Sequence, residues 1–209
     1  MIKRAAKKVV LTGGPGGGKT TAADIIAKTF DGSVVVIPEA AMMLYSGGFP
    51  RVNLPVAKIA MQKAIFHVQK NLEDLQAELH PNRVMICDRG TVDGAVYWPH
   101  GPEDFCRNFQ TTLEQEFERY DAVVFFETAA AGNRPIRAGN PLRWESLQEA
   151  IELDERLRAL WSQHANFYLI KNEASFMNKL SWGVELIQDL IEGKSPSPHR
   201  VFPDSATRY

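Results

Sequence analysis

The residues whose spacing carries the most chemistry are Gly13-Gly14-Pro15-Gly16-Gly17-Gly18-Lys19-Thr20, which fit G-x-x-x-x-G-K-[ST] at every fixed position. Glycines let consecutive backbone N–H groups turn inward onto an anion, where side chains would block the approach. A helix beginning at the lysine adds its own N-terminal N–H groups and the positive end of its dipole. Lys19 then reaches the β- and γ-phosphates, and the Thr20 hydroxyl is offered to Mg²⁺. Thr21 beside it belongs to the same nucleotide-binding set. The pattern predicts Mg-ATP as ligand. GTP is the weaker choice, because the chain has no N-K-x-D base-reading element.

Further candidates follow the apolar runs, where an open α/β sheet places its ligands. Glu39 comes after the run Ser33 to Ile37 and Pro38. It is a candidate base for an acceptor hydroxyl or a carboxylate that holds a water on Mg²⁺, and it also reads as a helix N-terminal glutamate favoured by the dipole. Asp88 in Cys87-Asp88-Arg89-Gly90 is a candidate carboxylate behind Mg²⁺, or simply a turn residue. Arg89 is a candidate for an anionic substrate, and Asp93 reads more weakly, as a helix cap. Arg134, Arg137 and Arg143 lie among glycines, asparagines and prolines. They read as a lid over the transferred phosphoryl group or as a solvated basic loop. Tyr97 and Trp98 suit core packing, with stacking on an aromatic acceptor as the alternative.

Parallel strands and covering helices must position these groups. Lys8 to Thr12, Ser33 to Ile37, Val84 to Cys87, Ala122 to Phe126 and Phe167 to Ile170 are short, nearly continuous apolar runs. Such runs predict strands buried on both faces. Between them the apolar spacing predicts helices: Lys19 to Phe30; a long one carrying Ile65, Val68, Leu72, Leu75 and Leu79; one carrying Phe105, Phe109, Leu113 and Phe117. Two more carry Leu147, Ile151, Leu157 and Trp161, and span Met177 to Ile191. All five stripes are expected to pack into the core. The reading is one α/β domain over residues 1–193 with a lid at about 132–143. Residues 194–209 form an extended or disordered tail, with a strap over another subunit as its alternative role.

Composition narrows the classes. The 209 residues are 44% hydrophobic and 23% charged, with a formal net charge of −1, so no global field attracts nucleic acid or an anionic membrane. The N-terminal apolar run is too short for a signal peptide core or a membrane span. Two cysteines, Cys87 and Cys106, have no metal-site spacing, and five scattered histidines make no zinc motif. A cytoplasmic protein with reduced thiols is expected.

The sequence Leu11 to Thr21, then Pro38-Glu39-Ala40-Ala41, Cys87-Asp88-Arg89-Gly90-Thr91 and the 133–143 segment resemble the small P-loop domains akin to the ribosylnicotinamide kinase part of NadR. That group is often described as AAA-type ATP-binding domains. The resemblance spans about residues 9–191, and its more specific part is Asp-Arg-Gly-Thr at its distance from Glu39. Met42 is a departure, since relatives tend to carry an arginine nearby. The resemblance implies a three-layer P-loop fold with a five-stranded parallel sheet in the order 2-3-1-4-5. It also implies Mg-ATP on Lys19 and Thr20, a metal or acceptor role for Asp88, and lid duty for Arg134, Arg137 and Arg143. Two functions follow as expectations. One is a kinase for a small nucleoside- or nucleotide-like acceptor, walled by residues 54–79. The other is a slow ATPase switch acting through a protein partner.

Overall fold

The computed structural model describes residues 7–132, 146–172, 175–194, 196–197 and 199–203. In chain order the elements are β1 (Lys8–Thr12), α1 (Lys19–Thr29), β2 (Val34–Ile37), α2 (Ala40–Ser46), α3 (Pro55–Leu79), β3 (Val84–Asp88) and α4 (Asp93–Tyr97). They continue with α5 (Gly101–Phe109), α6 (Leu113–Phe117), β4 (Ala122–Phe126), α7 (Leu147–Trp161), β5 (Phe167–Ile170), α8 (Phe176–Ile191) and β6 (Val201–Phe202). The strands form one parallel sheet in the order β2-β3-β1-β4-β5-β6. The expected order of five strands holds, and the expected number does not. A sixth strand comes from the segment read as a tail, where Leu169 and Ile170 of β5 pair with Val201 and Phe202.

Alternate residues of each strand feed two cores, which is why the strands read as unbroken apolar runs. Val9, Leu11, Ile86, Val124 and Phe126 face α1 and α8, meeting Ala22, Ala23, Ile26, Leu180, Leu186 and Ile187. Val10, Met85, Cys87, Val123 and Phe125 face the other way, toward Phe66, Phe105, Leu157 and Trp161. The P-loop therefore leaves a strand clamped between two layers, and its position is set by both.

Three helical stripes differ from expectation, the smallest departure being Leu147 at the start of α7, which is exposed. The Phe105, Phe109, Leu113 and Phe117 series supplies one core but not one helix. Gln110 takes a left-handed φ of 52° at the end of α5, and Thr112 with Gln115 forms a capping box that starts α6. On α3 the expected stripe packs only in part: Leu72 lies against the core, but the most deeply buried face is a different one. Leu75 and Leu79 are 54% and 59% exposed, while Met61, Gln62, Phe66, Gln69 and Glu73 are buried. This face repeats at i, i+4, i+7 and i+11 from Gln62, the helical period, but it contains three polar residues and so carries no hydrophobic signal.

Candidate functional site

The loop between β1 and α1 is held from outside as well as by its glycines. Gly13 has φ 128°, and a Cβ there would lie 2.1 Å from the Phe126 carbonyl of neighbouring β4, so no other residue fits. The next residue is gripped by α7: Asp154 Oδ1 accepts from Gly14 N at 2.7 Å and from Thr128 N at 2.9 Å. Thr128 Oγ1 in turn donates to the Pro15 carbonyl. One buried carboxylate thereby joins the phosphate loop, the end of β4 and the helix that follows residues 133–145. Burial pushes the Asp154 pKa up, and the two backbone N–H groups oppose the shift.

Lys19 is buried and its ammonium donates to the Gly13 and Gly14 carbonyls, both at 2.9 Å. Its pKa is lowered to about 7, first by burial and then by the nearby Arg89, against the pull of Asp88, Glu39 and Asp93. Thr20 Oγ1 donates to Asp88 Oδ2 at 2.8 Å, placing the loop hydroxyl beside the carboxylate at the end of β3. Asp88 Oδ1 is buried without a hydrogen-bond partner. Burial and the neighbouring Glu39 raise the Asp88 pKa to about 6, with Lys19, Thr20 and Arg89 opposing. A hydroxyl, a carboxylate and a spare buried carboxylate oxygen are the hard oxygen donors that suit Mg²⁺, which takes few protein ligands and draws the rest from phosphates and water. No group of three or more His, Cys, Asp or Glu among the described residues is arranged to hold a metal by itself. The donor set therefore fits a nucleotide-borne Mg²⁺.

Arg89 stands next to Asp88 in a left-handed conformation, φ 82°. Its guanidinium donates to the Gly13 carbonyl at 3.0 Å and to Asp93 Oδ1 at 2.8 Å, and its Nε lies 3.6 Å from Glu39 Oε1. Asp93 is more than the helix cap expected of it. Val92 occupies the cap position, while the Asp93 carboxylate accepts from Thr12, Arg89, the Gly90 backbone and the Trp161 indole. Glu39 is the residue that precedes α2, so its position before a helix is as read, and its side chain makes no cap.

A cleft of about 990 Å³ opens from the loop. Lys19, Thr20, Thr21, Glu39 and Arg89 lie on it together, and Met61, Gln62, Ile65 and Gln69 supply the α3 wall. Tyr97 and Trp98 border it, although Trp98 is 2% exposed, donates to Asp104 and packs edge-on to Phe105, as a core residue does. Arg156 of α7 also reaches the cleft and donates to the Val96 carbonyl. Asp154, Arg156, Gln62 and Gln69 belong to no motif in the sequence and join the site only through the fold. Arg134, Arg137 and Arg143 lie outside the described residues.

A strand-loop-helix phosphate cradle, a threonine–aspartate pair and a cleft at the carboxyl ends of a parallel sheet define a P-loop nucleotide-binding protein of the kinase-like fold. Within that class the chain belongs to the family described as AAA domain, whose model matches residues 8–179. The deoxyadenosine kinase of M. mycoides, solved with bound dATP, is similar in fold, with a TM-score of 0.62 at 14% identity. The likeness covers 88% of this chain and 99% of that one. No curated protein matches the sequence. No helix among the described residues is long and apolar enough to cross a membrane.

Proposed function

We propose that this protein is a Mg-dependent kinase that transfers the γ-phosphoryl group of ATP to a small nucleoside- or nucleotide-like acceptor. The observation that carries the reading is the cleft, which continues from Lys19 and Thr20 past Glu39 and Arg89 to the wall of α3. The cleft of about 990 Å³ takes in the phosphate loop and runs on past it, which leaves room for an acceptor beside the nucleotide phosphates.

In this reading the loop amides and Lys19 hold the phosphates in line with the acceptor. The acceptor hydroxyl attacks the γ-phosphorus, its proton passes to Glu39, and the bond from the γ-phosphorus to the β,γ-bridging oxygen breaks to release ADP. Thr20 and Asp88 would hold Mg²⁺, which supplies charge neutralisation on the phosphates. Arg89, kept in place by Asp93 and Glu39, presents a fixed positive charge beside the reacting groups. Arg134, Arg137 and Arg143 would close over them and exclude water. Phosphoryl transfer asks mainly for positioning and electrostatics, and these residues are sufficient in kind.

The test is ADP formation from Mg-ATP, alone and with a panel of nucleosides, nucleotides and pyridine ribosides, with Lys19→Ala run beside the wild type. One acceptor should raise turnover at least about tenfold, equivalent to about 1.4 kcal/mol of barrier, and the mutant should lose the response. Turnover indifferent to every acceptor would instead identify a regulatory ATPase that answers to a protein partner.

A further inference from the structure

We propose that Glu73, wholly buried on α3, is a positioning residue for the site: through two arms it holds the backbone on either side of Gly90 and so sets where Asp88 and Arg89 point. One oxygen carries both arms. Glu73 Oε1 accepts from Gln69 Nε2 at 2.9 Å and from the Tyr120 hydroxyl at 2.8 Å. The same Gln69 nitrogen donates to the Arg89 carbonyl at 3.1 Å, and the Tyr120 oxygen accepts from Thr91 N at 2.8 Å. The directions are forced. Both partners of the Gln69 amide nitrogen are acceptors only, and Tyr120 spends its single hydrogen on Glu73, leaving lone pairs for Thr91.

One of the two clamped residues holds an unfavourable backbone conformation. Arg89 sits at φ 82°, a region that residues with a Cβ avoid and keep only when their surroundings hold them there. That conformation turns its guanidinium to Gly13 and Asp93, one residue beyond the Asp88–Thr20 bond. The other oxygen of Glu73 accepts from Arg119 at 2.7 Å, with Lys8 at 3.6 Å. The carboxylate thus has acceptor work on both oxygens. A glutamine in its place would turn an N–H toward either the cations or the two arms.

Trp161 offers a readout that needs no turnover. Its ring lies where a Cβ on Gly90 would be 2.9 Å away, and its indole donates to Asp93 at 3.0 Å. In the full-length protein, Glu73→Gln should shift the Trp161 indole N–H resonance and leave that of Trp182, on the opposite face, in place. At saturating nucleotide it should lower acceptor-dependent turnover about 10- to 100-fold, with nucleotide affinity within about threefold of wild type. Tyr120→Phe removes one arm while keeping the ion pairs, and should reproduce a smaller part of both effects. Because both arms share one oxygen, Glu73→Gln should cost less in the Tyr120→Phe background than alone; additive losses would overturn the proposal. So would an unmoved Trp161 resonance in a folded Glu73→Gln protein. The turnover arm rests on the kinase reading, but the resonance does not. Wild type inert to every acceptor would remove the kinase and leave Trp161 to decide on Glu73.

Discussion

The two faces of the sheet are covered by different chemistry. Toward α1 and α8 the contact is mostly hydrocarbon on hydrocarbon, and the buried charges among the described residues are Lys19 and Asp88 at the loop, with Lys179. Toward α3, α4, α6 and α7, Gln69, Glu73, Asp93, Glu116 and Asp154 are buried among the aromatics. Burial of apolar surface is strong but has no direction, so it can hold a layer in place without aiming a carboxylate. Hydrogen bonds in a low-dielectric interior do aim groups, and leaving one unpaired there is costly. Away from the phosphate loop one face is thus a support, and the other carries most of the polar groups that orient the site.

This contrast can be broken experimentally. The largest effect is expected for Glu39→Gln, which should bind Mg-ATP normally and lose about 10²- to 10⁴-fold in transfer, measured by single turnover with the responsive acceptor. Undiminished transfer would remove Glu39 from the role of base. Asp154→Ala should come next. It leaves the Gly14 and Thr128 N–H groups unpaired and should weaken nucleotide affinity about 10- to 100-fold in equilibrium titration, at about 1–3 kcal/mol of stability for each stranded group. On the supporting face, Leu186→Ala should cost about 2–5 kcal/mol in denaturant unfolding, while turnover per folded molecule stays unchanged. A turnover loss there would show that the two faces are not separable.

The smallest effect concerns protons. In the free protein the Lys19 pKa lies at about 7, lowered from 10.5, so above that pH the side chain is largely neutral. Phosphates favour the charged form, and nucleotide binding therefore takes up a proton. Affinity should fall as pH rises through about 7, by at most about tenfold per unit. Calorimetric titration in buffers of different ionisation enthalpy measures the uptake directly. The same linkage acts on folding. Native Lys19 binds fewer protons than the unfolded chain between about 7 and 10.5, so its contribution to stability increases with pH across that window. Asp88, raised to about 6 from 3.8, makes stability decline as pH rises between those values.

The supporting face and the phosphate loop were largely legible in the sequence; the orienting face was legible only in outline. Strands such as Val9-Val10-Leu11 and the loop Gly13 to Thr20 announce themselves, because burial on both faces and close anion approach each demand particular residue types. Lys19, Thr20, Glu39 and Arg89 lie on one cleft, and Asp88 is bonded to Thr20 behind it. What escaped were polar residues on buried faces. Asp154 falls between Ala150, Leu157 and Trp161 on the inner face of α7, and Glu73 continues the line of Gln62, Phe66 and Gln69 on α3. A carboxylate at a core-facing position was the available signal, since burial of such a group requires partners. The break between α5 and α6 was also written, in Thr112-Leu-Glu-Gln, a capping-box pattern inside an apolar stripe.

The two-residue β6 has a consequence for life in a concentrated solution. Without it, Phe167–Ile170 would end the sheet as an all-apolar strand with an open row of N–H and C=O groups, a template for any other extended chain. With it, the sheet ends in a strand too short to recruit a neighbour, flanked by Arg200, whose guanidinium lies 4.5 Å from the centre of the Phe202 ring. A chain shortened to residue 194 would lose Phe202 from one core and Val201 from the edge of the other, and should become prone to self-association through the uncovered β5.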